Sequence, residues 1–418
     1  MNDWDFSPPT PSALGDHDVV LEGSHLRGKR IALLLTGSIA AMKVPEVARS
    51  LRRQGADVVA FASKEALRYT TIDTLEWCTT NKVVTQLTAA AEHLSDSAPF
   101  DVYLVAPATY NTINKMRYGI ADGVITSSLA SAIGRMEQEK TKILVVPTMH
   151  GSLHNSILTE SLQKLQTMGI EIISPRSDYG KHNLPAPTKI VAQVCRAVSR
   201  SLLKGVSVLV TGGPTPVEID NVRRITNRFT GRLGINITEE LYLRGAEVQL
   251  IHGESTCMPP AHLPHQIAKT FDEYLTLVLE ELHRKPYTFG VFSAAVADYK
   301  PENVFPGKIP SGGAWKTINL LPIIKVIDEV KAKFAELYMV IFKYQEGISH
   351  EQLMEIALNK LQRGYPAVVA NRGEETGPRG EQVAYLVTQI EGARKMVGKK
   401  GIAKEIVDHL ERVCLQSN

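Results

Sequence analysis

The sequence predicts an α/β protein with two Rossmann-like domains, each built as three layers with a parallel sheet in the middle. Short runs of Val, Leu and Ile alternate with amphipathic runs, a pattern typical of strand, helix, strand units. One such unit occurs twice, because residues 50–59 (SLRRQGADVV) and residues 241–250 (LYLRGAEVQL) both end a helix, turn on a glycine and begin a strand. A chain of 418 residues also exceeds what one hydrophobic core usually serves. Together these features favour two βαβ-based domains.

The predicted boundaries divide the chain into a tail and two domains. Residues 1–28 are rich in Pro, Ser and Asp and lack periodicity, so we expect a mobile or loosely docked tail without chemistry of its own. We expect the first domain to occupy residues 29–200 and the second to occupy residues 201–418.

The first domain begins with a strand, a polar turn and a helix. We expect a helix over Ala40–Arg53 and strands over Arg30–Leu35, Val58–Phe61, Val102–Ala106 and Ile143–Pro147. Ligands of open α/β sheets bind beyond the carboxyl ends of the strands. The polar residues of these turns should therefore face one crevice, and they are Ser38, Thr109, Asn111 and Thr112.

The second domain contains the most informative turn of the chain, Arg223–Gly234, with the sequence RRITNRFTGRLG. It lies between a strand expected at Val206–Val210 and a helix expected at Ile235–Leu243. The first N–H groups of a helix lack intrahelical partners and carry the positive end of its dipole, so this turn is suited to a phosphate or carboxylate. The full GxGxxG fingerprint of dinucleotide sites is absent from the first turn of both domains. Further strands are expected at Val248–Ile251, Gly290–Ser293 and Ala367–Ala370.

Composition and charge argue against several classes of function. A net charge of +3 is too small to favour nucleic acid or an anionic membrane as the main partner. No apolar run approaches the roughly 20 residues of a membrane helix and no secretory signal is evident, so we expect a cytoplasmic protein. The four cysteines are far apart, which disfavours disulfides. Cys257, His262 and His265 lie close in the sequence without a fourth ligand, so no metal-ligating residues are predicted.

Both halves contain motifs that a known family shares. The first half has His93 eight residues before Asp101, TGSIAA at 36–41, PATYNT at 107–112 and GIAD at 119–122. The second half has TGGPT at 211–215, VRRITNRFTGRLG at 222–234 and AAVADYKP at 294–301. Over residues 29–415 the chain thus resembles the bacterial bifunctional proteins in which phosphopantothenoylcysteine decarboxylase is fused to phosphopantothenate cysteine ligase. The resemblance implies a flavoprotein-type N-terminal domain and a ligase-type C-terminal domain that act in coenzyme A biosynthesis.

For the first half, the resemblance implies FMN-dependent decarboxylation of phosphopantothenoylcysteine to phosphopantetheine. His93 would act as the catalytic base on the substrate thiol, and the alternative is a surface histidine at a helix end. His150 would bind the substrate carboxylate where the family has asparagine, or would merely cap a loop. The residues that would hold FMN by position are Gly37, Ser38, Thr109, Asn111 and Thr112.

For the second half, the resemblance implies ligation of 4′-phosphopantothenate with L-cysteine, driven by CTP or ATP with Mg²⁺. Attack of a carboxylate on a phosphate brings two anions together, so the site must supply positive charge that acts most strongly in the transition state. Lys308 and Asn227 are the predicted catalytic residues, with Lys308 on a mobile loop and Asn227 holding the acyl oxygen. Substrate and nucleotide would also contact Arg223, Ala294, Asp298, Phe342 and Arg363.

Departures from the family leave alternatives open. The first half has Thr148-Met149-His150 in place of the family's AMN, and the flap at Ser174–Lys181 contains no cysteine. The chain could therefore be a ligase with a non-catalytic flavin-binding domain that serves regulation or scaffolding. It could also be a specialised paralogue that acts on another cysteine-containing substrate. The family further implies a homo-oligomer in which the flavin domain is trimeric and the ligase domain is dimeric.

Overall fold

The computed structural model describes residues 6–94, 97–312 and 317–417. The chain forms two compact units, Met1–Ser199 and Arg200–Asn418, here the first and second unit. Each has its own sheet and its own cluster of buried aliphatic and aromatic side chains. The predicted α/β class with parallel sheets between helices is confirmed.

The first unit contains a parallel sheet of five strands in the order β2-β1-β3-β4-β6 and a separate antiparallel sheet in the order β5-β8-β7. Its strands are β1 (Arg30–Leu35), β2 (Asp57–Ala62), β3 (Val102–Ala108), β4 (Lys142–Pro147), β5 (Met149–His150), β6 (Glu171–Ile172), β7 (Arg176–Asp178) and β8 (Lys181–Asn183). Its helices are α1 (Val44–Arg53), α2 (Ile72–Thr79), α3 (Tyr110–Tyr118), α4 (Val124–Glu137), α5 (Ser156–Thr167) and α6 (Pro187–Val198).

The first helix of the first unit differs from the sequence expectation, and part of the N-terminal tail is docked. The helix expected over Ala40–Arg53 is a 3₁₀ turn at Ile39–Lys43 followed by α1, because Pro45 lacks an N–H and fits only the first turn of an α-helix. Part of the expected tail is docked, since Leu26 is fully buried and the ring of His17 lies 4.2 Å from that of Trp77.

The second unit contains a sheet of eight strands in the order β13-β12-β9-β14-β17-β18-β19-β20, in which β19 is antiparallel to both of its neighbours and the other pairings are parallel. Its strands, including the short hairpins β10-β11 and β15-β16, are β9 (Ser207–Gly212), β10 (Val217–Glu218), β11 (Arg224–Ile225), β12 (Glu247–Gly253), β13 (His265–Ala268), β14 (Phe289–Phe292), β15 (Tyr299–Pro301), β16 (Leu320–Pro322), β17 (Tyr338–Gln345), β18 (Ala367–Arg372), β19 (Val383–Thr388) and β20 (Gly392–Val397). Its helices are α7 (Arg232–Leu243), α8 (Phe271–Arg284), α9 (Val326–Lys333), α10 (His350–Gln362) and α11 (Lys399–Ser417).

The turn expected over Arg223–Gly234 is more structured than predicted. Its first part forms strand β11, and its last three residues are the first turn of α7. The helix begins there because Gly231, with φ of +75°, takes the left-handed conformation that redirects the chain into α7. The free N–H groups of the helix therefore lie at Arg232 and beyond.

The strand order reverses at one point in each sheet. In the first unit the chain places β2 on one side of β1 and β3 on the other, and in the second unit β12 and β14 flank β9 in the same way. Crevices for ligands form beyond the carboxyl ends of strands at such a switch point. Each unit thus has one predictable position for a binding site.

Candidate functional site

A cavity of about 820 Å³, here the first cavity, opens at the switch point of the first unit. The residues that follow β1 and β3 form much of its wall. It is rich in hydroxyl and amide side chains, and its charged residues are two lysines and two acids. These lining residues include Ser38, Ser63, Lys64, Glu65, Thr85, Asn111, Lys115, Asp122, Thr126 and Thr148.

A buried hydroxyl joins the two turns of the first cavity. Thr36 is 2% exposed, its Oγ1 donates to the carbonyl oxygen of Pro107 at 2.6 Å, and it accepts from the N–H of Thr109 at 3.1 Å. Hydrogen bonds between buried groups hold such segments firmly, because breaking one would leave a buried polar atom without a hydrogen-bond partner and without access to water. The turns after β1 and β3 therefore form one rigid wall.

The five residues predicted to hold FMN all line the first cavity. The Ser38 hydroxyl accepts from the N–H of Ala40 at 3.3 Å, and the Thr109 hydroxyl caps α3 by accepting from the N–H of Thr112 at 3.4 Å. A Cβ added at Gly37 would lie 2.5 Å from Glu65 Cβ, so only glycine fits there without a shift. Asn111 is exposed to the cavity.

The two histidines predicted to act in the first unit are not among the residues that line the first cavity. His93 is half-buried, and its Nδ1 has no hydrogen-bond partner within the described part of the chain. His150 is exposed and caps the 3₁₀ turn at Gly151–Leu153, where its Nδ1 accepts from the N–H of Ser152 at 3.2 Å. Their proposed contacts with substrate stay predictions.

A cavity of about 380 Å³, here the second cavity, lies at the switch point of the second unit. Gly213 borders it after β9, and Ala294 borders it after β14. The N-terminus of α7 forms another part of its wall, through Gly231 and Arg232. The anion site predicted from the turn before α7 therefore faces this cavity.

Four of the residues predicted for the ligase site line the second cavity: the predicted catalytic Asn227, and Ala294, Asp298 and Phe342 from the predicted substrate and nucleotide contacts. Asn227 Nδ2 donates to the carbonyl oxygen of Ala295 at 2.8 Å, which fixes the amide beside the segment after β14. The exposed carboxylate of Asp298 forms an ion pair with Lys325, and both side chains face the cavity.

Arg223, Lys308 and Arg363 do not line the second cavity. The buried carboxylate of Asp220 connects the first two, because it accepts from Arg223 Nη1 at 2.6 Å and from the N–H of Ile309, next to Lys308, at 3.0 Å. These hydrogen bonds, led by that of Ile309, lower the pKa of Asp220 to about 2. The Lys308 side chain itself is exposed. Sequence reasoning missed Asp220, although it stands three residues before Arg223.

The main feature that sequence reasoning missed is a group of basic side chains around the second cavity. Its charged lining has five basic residues and one acid, Asp298, a formal excess of four positive charges. Burial lowers the pKa of Lys360, and the nearby charge of Arg363 lowers it further. Such a concentration of positive charge favours a polyanion. The five basic residues are Arg232, Lys325, Lys343, Lys360 and Lys399.

Two family models together cover most of the chain. The flavoprotein family matches residues 20–199, and the DNA/pantothenate metabolism flavoprotein C-terminal domain family matches residues 203–413. The coenzyme A biosynthesis bifunctional protein CoaBC of Thermococcus kodakarensis is 35% identical over 395 residues, which cover 93% of this chain and 96% of that protein. The chain belongs to the CoaBC family.

Further CoaBC proteins align over most of their length. That of Methanocaldococcus jannaschii is 27% identical over 394 residues, which cover 93% of this chain and 94% of that protein. That of Haemophilus influenzae is 30% identical over 318 residues, or 73% of this chain and 77% of that protein. The resemblance inferred from the sequence motifs is thus confirmed. In the described ranges, no helix is both long enough and apolar enough to cross a membrane.

Proposed function

We propose that the second unit joins 4′-phosphopantothenate to L-cysteine at the expense of CTP or ATP, and that the first unit decarboxylates the product with FMN. The observation that carries the ligase half is the second cavity at the switch point, which five basic side chains line together with Asn227. CoaBC relatives of nearly the same length bear the name of a bifunctional protein of coenzyme A biosynthesis.

The ligase reaction needs positive charge where two anions meet. A carboxylate oxygen of 4′-phosphopantothenate attacks the α-phosphorus of the nucleotide, and the bond to pyrophosphate breaks. The cysteine amine then attacks the acyl carbon, loses a proton, and displaces the nucleoside monophosphate as the amide forms. The lysines of the second cavity would hold the triphosphate, while Asn227 would donate to the acyl oxygen and position it for the amine.

Further groups would complete the ligase site. Mg²⁺ would neutralise part of the triphosphate charge, as it does for nucleoside triphosphates in general. Asp298 would accept from a ribose hydroxyl or from water on that ion, once released from Lys325. Arg223 and the Lys308 segment share Asp220, so both would approach the substrate as one element. Ala294 and Phe342 would contact the nucleotide from the wall.

The first cavity fits a flavin. Its volume of about 820 Å³ falls within the range of roughly 300–1,000 Å³ typical of ligand pockets, and its hydroxyl-lined rim suits a ring system with many hydrogen-bonding atoms. FMN would be held by Ser38, Thr109 and Asn111, with Gly37 and Thr112 shaping the turns. Bound FMN supplies an acceptor for two electrons, which a cysteine derivative lacks. His93 would take the thiol proton and His150 would bind the carboxylate.

The ligase proposal is tested by pyrophosphate release. We expect release from CTP or ATP only when 4′-phosphopantothenate and L-cysteine are both present, with omission of either as the control. Mass spectrometry of the product should show phosphopantothenoylcysteine. No release with either nucleotide would exclude the ligase, and a different required acid or thiol would indicate a specialised paralogue.

The decarboxylase half needs its own test, because its flap departs from that of the family. None of the strands β5, β7 and β8 contains a cysteine, and of these β7 lies in this flap and β8 begins at its last residue. We expect protein with bound flavin to release CO₂ from phosphopantothenoylcysteine and to form phosphopantetheine. Yellow protein that binds this substrate without releasing CO₂ would instead favour a non-catalytic flavin-binding unit.

A homo-oligomer is part of the proposal. In the second unit a parallel bridge between Asp220 and Phe305 joins the regions of the hairpins β10-β11 and β15-β16. Large apolar side chains stay exposed there, and such patches mark interaction surfaces. A second copy of the unit would cover them and form a dimer, while the first unit would form trimers. Light scattering should show a defined oligomer, and a monomer would contradict the proposal. The exposed residues are Val222, Ile225, Tyr299, Phe305, Leu320 and Leu321.

A further inference from the structure

A fully buried histidine lies behind the anion-binding wall of the second cavity. His252 is the last residue but one of β12, which pairs with β9 at the switch point. Its side chain is 0% exposed, an uncommon position for a group that ionises near neutral pH. No step proposed for the ligase reaction uses His252.

Three glycines make room for the imidazole ring. A Cβ added at Gly231 would lie 2.2 Å from His252 Nε2, one at Gly213 would lie 3.0 Å from Cε1, and one at Gly212 would lie 3.3 Å from Cδ2. Gly213 and Gly231 also line the second cavity. The ring therefore touches the inner side of the same backbone whose outer side faces the ligand.

The ring nitrogens of His252 are unsatisfied. Neither Nδ1 nor Nε2 has a hydrogen-bond partner of normal geometry among the described residues. Burial lowers the pKa of His252, while the backbone of Gly253 and of Gly231 opposes this shift. The lowered pKa favours the neutral imidazole, and these backbone groups are positioned to accept from the ring if it gains a second proton.

Other charged groups near β12 affect the proton affinity of His252. The charge of His265, on the neighbouring β13, lowers the pKa of His252. Glu254, which follows β12, is paired with Arg224 at 2.8 Å and is therefore compensated. Arg232 begins α7 and faces the cavity. Among the described groups that shift the pKa of His252, none carries a negative charge.

We propose that His252 takes up a proton when an anion binds against Gly213, Gly231 and the N-terminus of α7, so that nucleotide binding and protonation of this imidazole are coupled. The inference rests on the proposed ligase function, since the anion is the phosphate chain of the nucleotide. A negative charge across one layer of backbone favours the imidazolium, and by reciprocity the imidazolium favours the anion. His252 is thus a positioning residue that adds charge behind the wall only when the ligand is present.

Linkage fixes the sign of the pH effect. Because the ligand raises the pKa of His252, the bound state holds more protons than the free state, and affinity must fall as pH rises. The loss amounts to as much as tenfold per pH unit between the free and the bound pKa. A histidine with a purely structural role would produce no such slope.

The test is calorimetry of CTP or ATP binding, with Mg²⁺ and without the other substrates, in two buffers of different protonation enthalpy at about pH 6.5. The wild-type protein should take up more protons per bound nucleotide than His252→Gln. Protons that the nucleotide itself gains or loses are the same for both proteins and cancel in this comparison. The matched control is His283→Gln, an exposed histidine in the last turn of α8, which should keep the wild-type uptake.

The outcomes separate the two proposals. Failure of the wild-type protein to bind either nucleotide would remove the ligase proposal and this inference with it. Nucleotide binding with equal proton uptake in the wild-type protein and His252→Gln would overturn the inference alone. If His252→Gln does not fold, NMR of ¹³C-labelled histidine in the wild-type protein decides. One histidine signal should titrate at higher pH with nucleotide than without, and unchanged signals would overturn the inference.

Discussion

The two units place their cavities at equivalent points and equip them differently. In each unit, the cavity lies where the strand order reverses, beyond the carboxyl end of the strand that comes first along the chain, which is β1 or β9. The first cavity is the larger, at about 820 Å³, and its lysines and acids are equal in number. The second, at about 380 Å³, has four more basic than acidic side chains. Topology thus decides where a ligand binds, and the side chains around the switch point decide its charge.

The origin of the lining residues explains the difference. The first cavity depends on hydroxyls in two adjacent turns, which Thr36 ties together. The second cavity obtains its charge from elements spread over the whole unit, from α7 to the start of α11. The uncharged isoalloxazine ring of FMN needs fitted hydrogen bonds, whereas the triphosphate of a nucleotide is a polyanion and needs a converging field.

The largest expected effect is on the charge-dependent reaction of the second unit. Lys308→Gln should lower kcat for pyrophosphate release on the order of 100-fold, because we propose that the lysine acts on charge that develops in the transition state. Its exposed side chain should leave the melting temperature unchanged. Lys269→Gln, an exposed lysine elsewhere in the unit, is the control and should stay fully active. Wild-type turnover in Lys308→Gln would remove the lysine from the mechanism.

The next largest effect is expected from substitution of a glycine at the backbone of the second cavity, and it should appear in the free energy of unfolding. Gly231→Ala combines a φ of +75° with a Cβ 2.2 Å from His252, so we expect a loss of about 3 kcal/mol in the free energy of unfolding. Gly205→Ala is the matched control, since Gly205 has a φ of +78° in open space and should cost about 1 kcal/mol. Urea unfolding measures both, and equal losses would show that the contact with His252 is not tight.

A smaller effect should appear at acid pH. The hydrogen bonds of Asp220 lower its pKa to about 2, below the usual value of about 3.9. The contribution of Asp220 to the free energy of unfolding is therefore complete above the usual pKa of about 3.9, and it is lost as pH falls towards the folded-state pKa of about 2. Asp220→Asn should therefore be less stable than the wild-type protein at neutral pH, and the gap should narrow below about pH 4. Urea midpoints at several pH values measure this, and a constant gap would contradict the assigned hydrogen bonds.

Much of the fold follows from local sequence patterns. The buried strand at Arg30–Leu35 has the predicted bounds, and the helix α7 ends at Leu243, as predicted. Apolar runs between glycine turns leave few alternatives, because a buried parallel strand must be apolar on both faces. The predicted start of α7 was three residues too late, and a Cβ at Gly231, the residue before the helix, would meet His252 and Gly213, which are distant in sequence.

The candidate sites were predictable only where their residues lie in motifs. The turns that contain Ser38 and Asn111 follow strands directly, so their convergence on one crevice follows from topology. Lys325, Lys360 and Lys399 come from three separate elements, and no spacing in the sequence distinguishes them from solvated lysines. Only the three-dimensional structure brings them together.

The most direct test of the contrast between the two cavities is equilibrium dialysis of FMN and of CTP or ATP with two variants. Asn111→Ala removes an exposed amide from the first cavity, and Lys360→Gln removes a charge from the second. We expect Asn111→Ala to weaken FMN binding about tenfold with nucleotide binding unchanged. We expect Lys360→Gln to weaken nucleotide binding about tenfold with FMN binding unchanged. Variants that each weaken both ligands, or neither, would contradict the assignment of one ligand to each cavity.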